Sequence, residues 1–227
     1  MKKFVFVVLA CSVVMAYGQQ TETRKVEPFT GVKTQEGVDV YLKKGDKESV
    51  RVEVTGTSPD NVITEVSGSY LKVHMKEGVG RFTRVDAKVY VTYVNVNKLS
   101  ASSAGSIFSE GTLKANNMEI SASSAGSIEV NVEAHSIESS ASSAGDVELK
   151  GKTQSLSVDA SSAGEIDAYD LEAENVEAEA SSGASVKISV SKALSARASS
   201  GGDIRYRGNP DKQVTNSSSG GSVRKSN

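Results

Sequence analysis

From Val26 to about Lys98 apolar and polar residues alternate with period two in short runs. Val38, Val40 and Leu42 share one face, as do Val50, Val52 and Val54, Leu71, Val73 and Met75, and Val89, Val91 and Tyr93. The clusters Lys44-Gly45-Asp46, Ser58-Pro59-Asp60-Asn61, Ser67-Gly68-Ser69 and Glu77-Gly78 punctuate these runs. Period two bounded by turn residues predicts strands, and no helical period occurs beyond the first residues.

From Leu99 the alternation becomes a repeat. Ala-Ser-Ser-Ala-Gly-x-Ile at 101–107 recurs in copies starting at Ala122, Ala141, Ala160, Ala180, Ala198 and Ser217, at spacings of 21, 19, 19, 20, 18 and 19. A fixed period of this length marks one turn of a stacked superstructure. In one such turn alternation places Leu156, Val158, Ala160 and Ser162 inward, a corner at Ala163-Gly164, then Ile166 and Ala168 inward again. The expected fold is all-β, a right-handed parallel β-helix with 19–20-residue turns, since parallel crossovers are right-handed. The strands before Leu99 form either irregular first turns or a separate cap. Leucine-rich repeats and calcium-binding nonapeptide rolls need spacings that do not occur.

Two expectations concern the corner. Gly105, Gly126, Gly145 and Gly164 would hold backbone angles closed to other residues, with the corner changing shape where the glycine shifts at Gly183, Gly201-Gly202 and Gly220-Gly221. The second serines, Ser103, Ser124, Ser143, Ser162, Ser182, Ser200 and Ser219, would form an inward hydroxyl ladder. The first serines, from Ser102 to Ser218, would form an outward one.

Composition narrows the picture further. With 5 Phe, 7 Tyr and no Trp among 227 residues, the interior must be filled by Ala, Val and Ser rather than large aromatics. A net charge of −2 argues against nucleic acid as a partner. Residues 1–18 have the form of a secretory signal: Lys2 and Lys3, an apolar run from Phe4 to Met15, and a small-x-small site at Ala16-Tyr17-Gly18. That run is too short to span a bilayer. Cleavage after Gly18 removes two lysines, leaving 26 − 2 = 24 basic against 28 acidic residues. The expected location is the periplasm, the outer-membrane surface or the medium. The only cysteine, Cys11, lies within this segment, so the mature chain is held by packing and backbone hydrogen bonds rather than disulfides. The expected organisation is signal 1–18, linker 19–25, strand-rich part 26–98, regular repeats 99–223 and tail 224–227.

Chemistry-bearing residues are sparse. His74 and His135, the two histidines, lie in different regions with no Gly-x-Ser-x-Gly elbow near the serine pairs. No catalytic, cofactor or metal residues are expected. Outward acidic positions could border a polysaccharide-cleaving site with calcium, but such sites need long loops and the returns here are short. Charge is unevenly divided: residues 129–179 hold 13 acidic and 2 basic side chains, residues 187–227 hold 8 basic and 2 acidic. One outward column is expected to run Glu129, Glu148, Asp167, then Lys187, Arg205 and Arg224. Such a gradient is a candidate interaction surface and could orient head-to-tail contacts between copies.

The stretch Phe29-Thr-Gly-Val, then Gly37-Val-Asp-Val-Tyr-Leu-Lys-Lys-Gly-Asp46, Val50-Arg-Val-Glu-Val and Leu71-Lys-Val-His-Met, followed by serial Ser-Ser-Ala-Gly-x-Ile turns, resembles the auto-transporter adhesin head GIN domain family. The resemblance covers residues 26–223 and implies an exported β-helical protein, common in bacteria of the Bacteroidetes type, with an adhesin-like, non-catalytic role. Its motifs are structural and transfer no binding residues. The expected partner is an envelope protein or a glycan, with a homo-oligomer as a further possibility. A polysaccharide-active enzyme or a self-associating envelope protein are the alternatives.

Overall fold

The computed structural model describes residues 19–79 and 85–226, so the signal expected over 1–18 lies outside the described residues. The expected β-helix is present: a β-solenoid of about 7 turns of roughly 19 residues. Its regular part consists of five long bent strands, β9 (Ser106–Ser123), β10 (Ser127–Ser142), β11 (Asp146–Ala160), β12 (Glu165–Ala180) and β13 (Ser185–Ala198), paired in parallel. Like residues stack in register, for instance Ala122, Ala141, Ala160, Ala180 and Ala198. Alternation decides burial as expected. Leu156, Val158, Ala160, Ile166 and Ala168 are at most 2% exposed, and so are their counterparts Ile137, Ala141, Val147 and Leu149.

The N-terminal strands do both things the sequence left open. β2 (Gly31–Thr34) and β8 (Lys98–Ala101) stack in parallel on one side of the corner, and β3 (Asp39–Lys44) pairs in parallel with β9 on the other. These are irregular first turns of the same solenoid. Beyond them β4 (Ser49–Thr55) pairs antiparallel with β7 (Asp86–Tyr93), β1 (Gln20–Arg24) with β4, and β5 (Val62–Ser67) with β6 (Tyr70–Met75), closing that end. The opposite end is closed by polarity instead. In β15 (Lys212–Ser217) the columns Leu194, Ala196 and Ala198 continue as Gln213, Thr215 and Ser217, and the whole strand is exposed. A polar terminal turn lets the core end in water.

The corner corrects the sequence reading on three points. In every copy the fourth residue after the leading Ala (or Ser217) donates its N–H to the carbonyl of the first serine, from Gly105 to Ser102 at 3.0 Å through Gly221 to Ser218 at 2.8 Å. The two central residues have positive φ, such as Ser143 at 51° and Ala144 at 59°. That is the signature of a type I′ turn. First, Gly105, Gly126, Gly145 and Gly164 are not among the residues with positive φ. They are needed for close approach: a Cβ on Gly145 would lie 2.4 Å from the Ala122 carbonyl oxygen, and one on Gly164 2.4 Å from that of Ala141. Second, the inward ladder of second serines does not form. Ser103, Ser124, Ser143, Ser162, Ser182, Ser200 and Ser219 sit at the turn tips and are exposed, because a left-handed residue breaks the strand alternation. Third, the corner keeps its shape where the glycine shifts. Gly183, Gly201 and Gly220 simply take the second left-handed position held by Ala in earlier copies.

Candidate interaction face

One sheet face runs the length of the molecule in the strand order β1, β4, β7, β3, β9, β10, β11, β12, β13, β14 (Asp203–Arg207), β16 (Ser222–Lys225). In-register pairing turns single positions on it into straight columns. The central column joins Glu129, Glu148, Asp167, Lys187, Arg205 and Arg224 through successive pairs, so all six residues singled out in the sequence lie in one line.

Their charges are locally matched. Lys150 Nζ lies 2.8 Å from Glu148 and 3.0 Å from Glu129, and Lys187 Nζ lies 2.9 Å from Glu165 and 3.1 Å from Asp167. Hydrogen bonds to these carboxylates raise the pKa of both lysines. At the basic end Arg205 and Arg224 share Asp203, at 2.8 and 2.7 Å. Burial raises and the two guanidiniums lower the Asp203 pKa, with a net shift downward. Asp146 has the opposite balance. Burial, then the charges of Glu165, Glu148 and Asp167, push its carboxyl up.

The same column continues toward the N-terminus in a different chemistry. Phe108 pairs with Glu129, Tyr41 with Phe108, Tyr90 with Tyr41 and Arg51 with Tyr90. The three rings stack, with centroids 5.2 Å apart in both pairs and interplanar angles of 20° and 23°. The Arg51 guanidinium lies 4.1 Å from the Tyr90 centroid. Spacing along the chain gave no sign of this cluster. Tyr41 and Tyr90 belong to strands that are neighbours only because the first turns are stacked out of sequence order. Of the repeat aromatics, Phe108 joins the stack, Tyr206 is 6% exposed, and Tyr169 carries Arg207 at 3.9 Å and bonds Ser226 at 2.7 Å.

The remaining candidates stay apart. His74 faces the Met75 carbonyl at 2.9 Å and Glu36 at 3.9 Å, while His135 is exposed in an open groove of about 830 Å³ with Glu133 and Lys152. Glu133 is bridged by Lys114 and Lys152, both at 3.1 Å, and those hydrogen bonds lower its pKa. Among the described residues no group of three or more His, Cys, Asp or Glu is placed to hold a metal ion, and no helix is long and apolar enough to cross a membrane.

The family model described as putative auto-transporter adhesin, head GIN domain, matches residues 28–210. The chain belongs to this family. Its fold recurs in a putative adhesin from Bacteroides fragilis, 19% identical with a TM-score of 0.82, covering 92% of this chain and 97% of that one. A putative lipid binding protein from Parabacteroides distasonis is 20% identical with a TM-score of 0.68, covering 92% and 97%. A putative adhesin from the same species is 17% identical with a TM-score of 0.72, covering 92% and 98%. Comparison with curated proteins finds no match. At these identities the structural likeness speaks for the fold alone.

Proposed function

We propose that the protein is an exported, non-catalytic binding scaffold of adhesin type that presents its long sheet face to an envelope partner or a glycan. The observation that carries this reading is the central column, which lines up aromatic, acidic and basic blocks on consecutive strand layers. A surface with such straight, chemically distinct stripes suits recognition of an extended partner rather than enclosure of a small substrate. Family membership supports the same reading.

The test is binding of the mature chain to immobilised outer-membrane fractions and capsular polysaccharide from Bacteroidetes, read by surface plasmon resonance. Saturable binding that a variant carrying Glu148→Lys and Lys187→Glu weakens is the expected result. No saturable binding to any fraction would overturn the proposal. So would cleavage of polygalacturonate or alginate at a rate that Asp167→Asn abolishes.

A further inference from the structure

The geometry points to a glycan-binding strip at Arg51, Tyr90, Tyr41 and Phe108, which we propose holds a neutral linear polysaccharide lying along the solenoid axis. This deepens the scaffold reading and rests on it. The three rings stand on successive strand layers, and each residue is partly exposed. Centroids 5.2 Å apart and near-parallel planes join the three rings into one continuous aromatic stack. Successive rings are one strand layer apart, about 4.8 Å, a step comparable to one pyranose unit.

The flanks supply the polar half of such a site. On one side of the ring column lie Glu53, Lys88 and Asp39, and on the other Ser49, Thr92 and Lys43, all on the same face. Donors and acceptors therefore border the rings on both sides, as hydroxyls around an apolar sugar face require. The cations around the strip are engaged, Arg51 with Glu53, Lys43 with Glu110 and Lys88 with Asp86, and Asp39 leaves the border one carboxylate in excess. A border in which these cations are already paired favours an uncharged polar ligand over a polyanion. A polyanion would meet Glu129 and Glu148, which continue the column.

The experiment uses the mature chain and neutral oligosaccharides of six units, namely cello-, xylo-, manno- and malto-hexaose, by calorimetry and by tyrosine emission, which is unobscured because the chain has no Trp. Binding of at least one, weakened about tenfold by Tyr41→Leu and unchanged by Tyr41→Phe, is expected for a ring contact. Leu keeps the apolar packing, and thermal unfolding of each variant checks that the solenoid persists. Phe108→Leu, on the neighbouring layer, gives a second, independent ring deletion should Tyr41→Leu unfold. Absence of binding to all four, or binding insensitive to both ring deletions, would overturn the strip. If envelope binding survives while hexaose binding is absent, only this inference falls. If envelope binding is absent as well, the scaffold reading falls with it.

Discussion

The first four corners and the last three perform one turn with different residues. At Ala104, Ala125, Ala144 and Ala163 an alanine is held at φ near 60°, whereas Gly183, Gly201 and Gly220 occupy the same position in the later copies at 74° to 77°. A left-handed alanine costs about 1–2 kcal/mol, which glycine avoids at some cost in chain entropy. The fourth position behaves in reverse. It is Gly in six copies and Ala184 in one, and there the turn hydrogen bond is 3.1 Å against 2.8–3.0 Å elsewhere. The corner thus tolerates unfavourable φ more readily than it tolerates bulk, because bulk there meets the backbone of the adjacent layer.

The largest test of that contrast is Gly145→Val. Its Cβ would lie 2.4 Å from the Ala122 carbonyl oxygen, a backbone atom that cannot rotate away, so a loss of about 3 kcal/mol is expected in denaturant unfolding. A loss below that of Ala160→Leu would show that the layers separate easily. Ala160 is 1% exposed in the column against which the corner glycines rest. Leucine there should overpack the turn by about 1–3 kcal/mol.

Ser139 provides a control away from the corners. Its buried hydroxyl has no hydrogen-bond partner, and it stacks between Ile120 and Val158. Ser139→Ala should therefore raise stability, by about 1 kcal/mol, seen as a higher midpoint of thermal unfolding. Ala163→Gly makes an early corner resemble a late one. It should gain about 0.5 kcal/mol, the relief of the left-handed alanine less the entropy of glycine. A destabilised Ala163→Gly would mean that the earlier corners are not strained.

The smallest expected effect lies beside a corner, at Asp146. Its folded pKa is raised, so its ionised form disfavours the native state. That penalty is complete above the folded pKa, shrinks as pH falls toward the unfolded value near 3.9, and is gone below it. Asp146→Asn should then be slightly stabilising at pH 7 and neutral at pH 3, measured by unfolding at both.

Most of the solenoid was legible before the structure. The period announced stacking, and alternation sorted Leu156, Val158 and Ile166 from their polar neighbours. The charged column was legible too, since Glu129 and Arg224 occupy equivalent places in repeats of known register. The serine tips were misread because strand alternation was carried one residue into a turn whose φ reverses. The aromatic stack was invisible for another reason. Tyr41 and Tyr90 lie outside the regular repeat, and no period relates them to Phe108.

Local chemistry in the chain was thus sufficient for the repeat, its length and the inward positions of its strands, because these follow from side-chain period and small-residue spacing. The order in which the first strands stack was settled only by folding. Parallel pairing places β3 between β7 and β9, and that arrangement alone makes three scattered aromatic residues neighbours. Why glycine is required at 126, 145 and 164 likewise emerged only when one layer met the next, since the atoms it must avoid belong to a different turn.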